Sequence, residues 1–526
     1  MIMKKLMLMT VAMVMTTSFF AACGDENEDA ETPPPAVPVI VLEGSDIDQP
    51  QEITSSMSIK VSVTAPGTIA GFTVTIDSPA LTAEMLATVG LNTELDLVNP
   101  GNMSDALEAL GFPSGTAVSG KTSLIFDISA LVPMIAQIYN ETSDHRFVLK
   151  VTDAKGQSTT KTLTCHLTAQ ASLAYNDDAD LWTNTATVTA ENLPEGANVQ
   201  YRVKNMGNWV DASVIEGSKY GIAPVWTSAK NEADQDVYTI QVGTGVFAAT
   251  TYEIRVVKDG QTIDSGEFTT AAGDQIPNND MSNWSTVSRA GLIGSADVAY
   301  PNAADEAFWD CGNNGITKTL CTETKEKFGT STPAAKLAST NMFVLAAGNL
   351  FTGSFSYASM TGSVDFGRKY NWTARPSALK LKYAAIVGNI DMVRSSGDIL
   401  EGVSNGDPDK ARIFVAIVDW TAPHQVVSSM TTTTGAWDPV DGADAVSEGK
   451  ILGYGSLTIP ASESDTENTA LKSVELEILW YDKSAKPAEG NYSLVISCAC
   501  NAYGDYFTGC STNVMYVDDF EWVYIY

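Results

Sequence analysis

The sequence predicts an all-β protein made of tandem β-sandwiches that end in a larger β-sandwich domain. Short stretches alternate apolar and polar residues with the period of two that is typical of half-buried strands, as at Ile59, Val61 and Val63. Clusters of turn-forming residues separate these stretches. After residue 280 there is no long amphipathic helix and no repeat of fixed period. Together these features favour an all-β fold built of sandwiches.

The first 23 residues resemble a lipoprotein signal peptide. Lys4 and Lys5 precede an apolar run over residues 6–20, which is short for a membrane span. The run leads into Phe-Ala-Ala-Cys-Gly around Cys23, which resembles a bacterial lipobox with Cys23 as the lipid-bearing residue. We therefore expect residues 1–22 to be removed and Cys23 to anchor the protein to a membrane. The alternative is an ordinary signal peptide with an incidental cysteine.

Residues 23–38 are predicted to form an acidic and proline-rich tether. Residues 25–29 are acidic apart from Asn27, and a run of prolines starts at Pro33. An acidic patch directly after the lipid-bearing cysteine resembles the export signal of Bacteroidetes surface lipoproteins. The proline segment favours an extended chain that rises about 3.1 Å per residue. We expect an outer-membrane lipoprotein exposed at the cell surface, and the alternative is one that faces the periplasm.

Residues 39–170 are predicted to form an immunoglobulin-like sandwich with a helical insertion. Cap and turn residues predict three short helices, within residues 78–90, 104–111 and 129–139. Strand periodicity precedes and follows these helices. Three further sets of alternate residues are each expected to share a buried face: Phe72, Val74 and Ile76; Phe147, Leu149 and Val151; Leu163, Cys165 and Leu167.

Residues 171–273 are predicted to form a second sandwich, which resembles a fibronectin type III domain. The resemblance lies in the last two strand stretches, residues 251–256 and 266–272. Modules of this kind are usually spacers or docking surfaces. The alternation predicts three core residues and one outward residue: Tyr252, Ile254 and Val256 inside, and Arg255 outside.

Residues 274–280 are predicted to be a polar linker, and residues 281–526 a single larger β domain. Strands of the buried type include residues 413–418 and 474–480. Four phrases follow one another in this domain: AGNLFTG from residue 347, RPSALK from 375, DKARIFVAI from 409, and YGDYFTG from 503, which leads into VDDFE at 517–521.

In this order the phrases resemble the "putative carbohydrate metabolism domain" (PCMD) family of Bacteroidetes lipoproteins. The resemblance implies a jelly-roll β-sandwich like those of carbohydrate-binding modules, usually behind an immunoglobulin-like domain. It supplies no proven catalytic residue. The chain departs from the family pattern in its fibronectin-like middle domain and at three cysteines, Cys498, Cys500 and Cys510.

A candidate glycan site lies in the loop of residues 366–375. A sugar ring needs a flat aromatic face, and its hydroxyls need planar polar groups. Tyr370 and Trp372 would supply the aromatic faces, and Arg375 would supply a bidentate donor. The alternative is structural: Trp372 packs over a sandwich edge and Arg375 pairs with an acid.

A second loop, just before the last strand, carries further candidate glycan ligands. Tyr503, Asp505 and Tyr506 lie in this glycine-containing loop and are expected to converge on the same rim. Two Trp-Asp pairs, at residues 309–310 and 437–438, occur in similar turn-like surroundings. The alternative for each is an ordinary strand end.

The jelly-roll resemblance also implies a structural calcium ion. Asp519 lies in the last strand region, and Asp280 or Asn279 lies near the start of the domain. Their oxygens are the hard ligands that calcium prefers. The alternative is a hydrated acid at a strand end.

Six cysteines follow Cys23, and an exported location permits disulfides. Cys165 falls on an apolar strand face and is expected to be a buried thiol. Cys311 and Cys321 flank a glycine-containing loop that a disulfide could close. Either Cys498 or Cys500 could reach Cys510, so the pairing stays open.

Composition and motifs narrow the function further. The chain has 63 Asp and Glu against 31 Lys and Arg, a net charge of −32, which repels nucleic acid. Only three histidines are present, which disfavours a histidine-rich metal site. No nucleophile elbow, zinc-binding helix or phosphate loop is recognisable, so the sequence leans against an enzyme.

We therefore expect the C-terminal domain to bind glycan and to retain polysaccharide near an outer-membrane uptake complex. The first alternative is a glycoside hydrolase that uses a carboxylate pair in the same domain. The second is an adhesin or scaffold whose modules bind protein partners.

Overall fold

The computed structural model of the protein describes residues 36–54, 57–324, 333–465 and 470–525. The predicted signal peptide, Cys23 and most of the tether lie outside the described residues. The chain divides into two compact units, Met1–Gln170 and Ala171–Tyr526. Within the described part, no helix has the length and apolar character needed to cross a membrane.

The first unit is a β-sandwich with three short helices. Its strands and helices are β1 (Val39–Leu42), β2 (Gln51–Glu52), β3 (Lys60–Thr64), β4 (Ile69–Asp77), α1 (Ala83–Thr88), β5 (Glu94–Asp96), α2 (Ser104–Ala109), β6 (Ser123–Asp127), α3 (Val132–Ile138), β7 (Ser143–Asp153) and β8 (Ser158–Leu167). One sheet has the order β1-β3-β6 and the other the order β2-β8-β7-β4-β5. The predicted faces, from Ile59 to Leu167, all lie in one hydrophobic core, which confirms the strand prediction for this unit.

The three helices occur within the predicted segments, but the first begins later than its predicted cap. Thr82 caps α1, and its Oγ1 accepts a hydrogen bond from Met85 N at 3.2 Å. Ser78, whose residue type and the following proline predict a cap at the start of segment 78–90, instead accepts from Leu81 N at 3.0 Å and bonds the His145 ring at 2.7 Å. The Ser78 hydroxyl therefore bonds the buried His145 ring instead of capping the helix as the sequence pattern predicts.

The second unit begins with a smaller sandwich. Its strands are β9 (Ser172–Tyr175), β10 (Ala186–Glu191), β11 (Asn198–Val203), β12 (Val210–Asp211), β13 (Ser213–Glu216), β14 (Lys219–Ile222), β15 (Trp226–Lys230), β16 (Asp236–Ile240), β17 (Thr251–Lys258) and β18 (Gln261–Thr269). Two four-stranded sheets have the orders β13-β14-β10-β9 and β12-β11-β17-β18. Tyr252, Ile254 and Val256 are at most 2% exposed, as the alternation predicts.

The remainder of the second unit is a larger β-sandwich. Its strands are β19 (Ser285–Ala290), β20 (Ser295–Tyr300), β21 (Trp309–Asp310), β22 (Cys321–Thr324), β23 (Ala334–Ala338), β24 (Thr340–Asn341), β25 (Leu345–Ala346), β26 (Asn349–Ala358), β27 (Thr361–Phe366), β28 (Arg368–Lys369), β29 (Ala378–Ile386), β30 (Lys410–Trp420), β31 (His424–Ser428), β32 (Thr433–Thr434), β33 (Gly449–Pro460), β34 (Lys472–Glu477), β35 (Leu479–Trp480), β36 (Tyr492–Ala499) and β37 (Val514–Val523). The prediction of an all-β chain of tandem sandwiches is thus confirmed.

Two large sheets enclose the core of this C-terminal sandwich. One has five strands in the order β22-β23-β37-β29-β34. The other has twelve, with β33-β30-β36-β26-β27-β31 at its centre. Strand β30 is apolar on both faces, because the inner face packs in the core between the sheets and the outer face carries a second cluster.

The hairpin of β15 and β16 leaves the smaller sandwich and extends the twelve-stranded sheet. Tyr238 on β16 pairs with Trp480 on β35. At the hairpin tip, Asn231 Nδ2 donates to Val440 O at 2.8 Å and to the Tyr454 hydroxyl at 3.0 Å. The two sandwiches therefore share one sheet, while the predicted boundaries at 273 and 281 stay predictions.

The predicted linker 274–280 packs against the C-terminal sandwich. Ile276 is only 2% exposed and belongs to the main core of the second unit. The Pro277 carbonyl accepts a hydrogen bond from Trp309 Nε1 at 2.8 Å. One apolar side chain and one carbonyl thus fix the predicted polar linker to the domain.

Candidate functional site

A groove of about 300 Å³ lies on the outer face of the twelve-stranded sheet. Side chains alternate along β30, so Ile413 and Val415 are buried in the core while Arg412 and Phe414 reach the groove. On β36, Ser497 and Ala499 likewise line the groove, because their neighbours face inward. The pleat of the sheet thus separates a packed face from a face available to a ligand.

Aromatic rings form much of the groove. The Phe351 and Phe366 centroids are 5.3 Å apart, and Trp437 lies 6.0 Å from Phe366 and 5.4 Å from Phe414 in edge-on contacts. Trp437 is half-buried, which leaves part of its indole open. Phe351 and Phe366 are buried, so the half-buried rings of Phe414 and Trp437 are the ones that can offer an apolar face to the C–H side of a sugar ring.

An ion pair adds polar groups beside these rings. Arg412 Nη2 donates to Asp438 Oδ1 at 2.7 Å, and the two side chains are 22% and 30% exposed. Arg412 Nε is buried and has no hydrogen-bond partner among the described residues. Asp438 also accepts from Val440 N at 3.0 Å, which fixes the carboxylate at the start of a short turn. The pair is therefore held in place but only partly satisfied.

Asp505 brings a second carboxylate to the groove. It lies in a single 3₁₀ turn, Gly504–Tyr506, and lines the groove. The Asp505 carbonyl accepts from Arg394 Nη2 at 3.2 Å and from Thr433 Oγ1 at 2.7 Å, which fixes the turn. Surrounding protein atoms desolvate the Asp505 carboxyl and raise its pKa, against the opposing effect of the Arg394 charge.

Of the first predicted loop, the structure buries Trp372 in the core, so its assignment as a sugar platform is wrong. Trp372 is 4% exposed, and its Nε1 donates to Ser493 Oγ at 3.1 Å. Its ring lies 4.5 Å from Tyr370 and 5.2 Å from Trp522. An indole enclosed on these sides cannot stack on a ligand.

Tyr370 has a structural partner as well. Its hydroxyl accepts a hydrogen bond from Trp522 Nε1 at 3.0 Å, and burial raises the pKa of this hydroxyl to about 12. The ring packs on the core side of the sheet, away from the groove residues. Aromatic residues and glycines are typical both of sugar-binding loops and of loops that pack on a core, so the composition of residues 366–375 does not distinguish the two roles.

Arg375 is the centre of the contact between the two sandwiches rather than a sugar ligand, which corrects its predicted role. The side chain is 1% exposed. Its Nε donates to Trp182 O at 2.7 Å and its Nη2 to Lys483 O at 2.9 Å. The guanidinium also lies 5.0 Å, 5.2 Å and 4.4 Å from the ring centroids of Trp182, Trp226 and Trp480. Backbone carbonyls and indoles thus satisfy it completely.

The two predicted loops do not meet on one rim, because Asp505 lies in the groove while Trp372 and Arg375 lie in the core. Tyr503 and Tyr506 flank Asp505 outside the groove lining. The Tyr503 ring faces Lys410 Nζ at 5.0 Å, and the Tyr506 ring faces the Arg394 guanidinium at 5.6 Å. These two tyrosines support the loop that carries Asp505.

The predicted calcium ligands lie at a bulge near the end of β37. Asp519 has a φ of 52°, and its Oδ2 lies 2.7 Å from Lys382 Nζ. Its neighbour Asp518 is 1% exposed, and burial together with the charges of Asp519 and Asp280 raises its pKa to about 7. Within the described ranges, no three acidic, histidine or cysteine side chains are placed to hold a metal ion. The calcium ion stays a prediction.

The six described cysteines are buried thiols without disulfides. Cys165 is 0% exposed, as the strand pattern predicts. Burial and the neighbouring Cys311 thiol raise the pKa of the Cys321 thiol, so the predicted neighbours lie together without a bridge. Cys510 contacts Thr512 Oγ1 at 3.3 Å rather than Cys498 or Cys500.

Sequence reasoning named Trp437, Asp438 and Asp505 but missed Arg412 and the groove phenylalanines. Arg412 and Phe414 lie in β30, where residues 413–418 read as a buried strand, and Phe351 lies in β26. The available signal was the alternation in β30, where Arg412 interrupts an otherwise apolar strand. A charged residue inside such a strand indicates the open face of its sheet.

Comparison with known proteins identifies the domain that carries the groove. Residues 283–523 match the model of the family described as "Putative carbohydrate metabolism domain" (PCMD), which confirms the resemblance of the C-terminal domain. No curated protein matches the chain.

Three solved structures illustrate what the chain is similar to. A "putative glycoside hydrolase" of Bacteroides vulgatus is 18% identical over 48% of this chain and 95% of its own, with a TM-score of 0.30. Another of Bacteroides thetaiotaomicron is 12% identical over 95% and 100%, with a TM-score of 0.27. A Bacteroides ovatus mixed-linkage glucan utilization protein, SGBP-B, in complex with a heptasaccharide, is 11% identical over 90% and 100%, with a TM-score of 0.14. The family match shows that residues 283–523, the region that carries the groove, are similar to the PCMD family.

Proposed function

We propose that the protein is an outer-membrane lipoprotein that captures glycan at the cell surface in the groove of its PCMD domain. The observation that carries this proposal is the combination of half-open aromatic rings with the Arg412–Asp438 pair and Asp505 in one groove. The family match supports carbohydrate as the ligand. The signal sequence and Cys23 support membrane anchoring, and the acidic tether supports export.

Each group in the groove has a defined task in this proposal. Trp437 stacks against the apolar face of a sugar ring. Arg412 donates to a hydroxyl or an acidic sugar, while Asp438 and Asp505 accept from hydroxyls. Binding is passive capture, which keeps polysaccharide close to an outer-membrane uptake complex.

A glycan array with the full-length protein tests the proposal. We expect the wild-type protein to bind a subset of glycans and Trp437→Ala to lose at least tenfold in affinity. Trp209→Ala is the matched control, because Trp209 lies in the smaller sandwich under the guanidinium groups of Arg202 and Arg255 at 4.5 Å and 4.0 Å. The absence of binding across plant, host and microbial glycans would overturn glycan capture.

The anchor is tested separately. Cys23→Ser is expected to abolish incorporation of labelled fatty acid and to release the protein from the membrane fraction. Protease added to intact cells is expected to cleave the anchored wild-type protein. Resistance that disappears only after the outer membrane is opened would favour the periplasmic alternative.

Glycoside hydrolysis is the second candidate, because two carboxylates line the groove in different surroundings. Asp505 has a raised pKa, as a general acid requires, whereas Asp438 is held by Arg412. Release of reducing sugar from a polysaccharide panel, lost in Asp505→Asn, would support it. If wild-type protein binds a glycan and leaves it intact over extended incubation, hydrolysis is excluded for that glycan.

A further inference from the structure

The rim of the groove carries large apolar side chains that are open to solvent. Phe343 is 90% exposed and Leu292 is 62% exposed. Three methionines that also line the groove, Met342, Met360 and Met430, are 36–42% exposed. Soluble proteins rarely collect so many exposed apolar side chains around one cavity unless the patch binds something.

Two of these side chains extend from backbone in the left-handed region. The φ angles are 74° at Phe343 and 63° at Met360. Bulky residues rarely adopt this region, and such conformations concentrate at ligand-binding sites. The exposed Phe343 side chain therefore stands at a position that a glycine or asparagine would occupy with less strain.

Most amides in the groove are already used by the protein itself. Asn314 Nδ2 donates to Thr317 Oγ1 at 2.7 Å, and its Oδ1 accepts from Ile316 N at 2.9 Å. Asn349 Oδ1 accepts from Gly312 N at 2.7 Å, and Asn501 Nδ2 donates to Asp409 Oδ2 at 2.7 Å. The groups that can address sugar hydroxyls are concentrated at the Arg412–Asp438 pair and Asp505, while the rim offers apolar contact.

We propose that the ligand is a glycoconjugate in which the sugar carries an apolar substituent, and that this substituent lies on the rim formed by Leu292, Met342, Phe343, Met360 and Met430. The inference rests on the proposed glycan-binding function and specifies its ligand class. An unsubstituted polysaccharide presents small C–H faces between its hydroxyls but no continuous apolar group, and the five exposed apolar side chains offer contact to such a group. Methionines adapt to irregular apolar shapes, so they suit either an acyl chain or an aromatic substituent.

A series of glycosides with one sugar and different substituents tests this inference on the full-length protein. Methyl, octyl and 4-nitrophenyl β-maltosides are compared by calorimetry, each below its micelle-forming concentration. We expect octyl or 4-nitrophenyl maltoside to bind about tenfold or more tightly than methyl maltoside, the gain from burying roughly two methylenes. Preference for octyl indicates an acyl source, and preference for 4-nitrophenyl indicates an aromatic source.

Two adjacent residues of one hairpin provide a matched pair of variants. Leu292→Ser removes a rim side chain, whereas Ile293→Ser removes a side chain that is 97% exposed and lies outside the groove lining. Leu292→Ser and Phe343→Ser should each reduce the gain from the substituent by at least threefold, and Ile293→Ser should leave it unchanged. Both hairpin positions are exposed, so the variants should fold equally well.

The outcomes separate this inference from the proposed function. If glycans bind on the array but all maltosides bind equally, or if Leu292→Ser behaves like Ile293→Ser, the apolar-substituent inference is wrong and glycan capture stands. If no glycan binds and octanol binds as tightly as octyl maltoside, the proposed function fails and the rim is a site for apolar molecules without sugar.

Discussion

Arg375 and Arg412 both lie near tryptophans in the C-terminal sandwich, but the protein uses them in opposite ways. Arg375 is 1% exposed, faces three indole rings and donates to backbone carbonyls. Arg412 is half-buried, binds the carboxylate of Asp438 and has a buried Nε without a partner among the described residues. A guanidinium that the fold satisfies fully stabilises structure, whereas one satisfied in part is available to a ligand.

The comparison also separates two surfaces of the twelve-stranded sheet. The core side holds Arg375 and Trp372 at the contact with the smaller sandwich, and the outer side holds Arg412 and Trp437 in the groove. The type of residue is therefore a poor guide to its role. The face of the strand or loop on which it lies decides between packing and binding.

Arg375→Ala should produce the largest loss of stability. It leaves the carbonyls of Trp182 and Lys483 without their donors and opens a cavity between three indoles, for an expected cost of about 4 kcal/mol. Arg412→Ala, at a partly exposed ion pair, should cost about 1 kcal/mol. All ten tryptophans lie in residues 171–526, so fluorescence during denaturant unfolding reports on this unit alone.

The opposite results would contradict the structural role of Arg375 and the ligand-binding role of Arg412. If Arg375→Ala unfolds at the wild-type denaturant concentration and loses glycan binding, then Arg375 acts on a ligand after all. A loss of several kcal/mol in Arg412→Ala would in turn assign Arg412 to structure.

Trp372 and Trp437 provide a second test of the difference between the core side and the groove side of the sheet. Trp372→Ala should cost about 3 kcal/mol, because it removes a buried indole and leaves Ser493 without its donor. Trp437→Ala should cost less, since its ring is half-buried, but should lose glycan affinity. If Trp372→Ala and Trp437→Ala lose equal stability and equal glycan affinity, the assignment of Trp372 to the core and of Trp437 to the groove is wrong.

The sequence allowed prediction of the strands and their buried faces better than of the site. Alternation predicted the core from Ile59 to Val256 because the hydrophobic effect acts on each strand locally. The role of Arg375 depended on Trp182 and Trp226, more than 140 residues earlier in the chain, and no local pattern reports such contacts. Asp505 was a candidate because of its glycine-containing loop before the last strand, and its role as a ligand residue stays a prediction. Its supporting residue Arg394 was not predicted, because it lies 111 residues earlier in the chain.

Asp518 offers a pH test on the core side. Its pKa is raised to about 7, so the folded state binds a proton that the unfolded state releases near pH 4. Stability should therefore fall as the pH rises from about 4 to 7, by roughly 2–4 kcal/mol at about 1.4 kcal/mol per pKa unit. Asp518→Asn keeps the acceptor for Asp519 N and should be more stable than wild type at pH 8. Parallel stability profiles for the two proteins between pH 4 and 8 would show that Asp518 does not titrate in this range.

The smallest expected effect concerns Asp505, the acid on the groove side. Its raised pKa means that the carboxylate is lost at a higher pH than an ordinary aspartate, whose pKa is near 3.8. Because a protonated carboxyl accepts less well from sugar hydroxyls, glycan affinity should fall severalfold as the pH drops through this raised value, while fold stability changes little. Asp505→Asn should bind more weakly at neutral pH and lose this acid sensitivity. If Asp505→Asn keeps the acid sensitivity of the wild type, another groove carboxylate accepts the sugar hydroxyl, and Asp438 is the candidate. Asp505 would then not be the ligand-binding acid that contrasts with the structural acid Asp518.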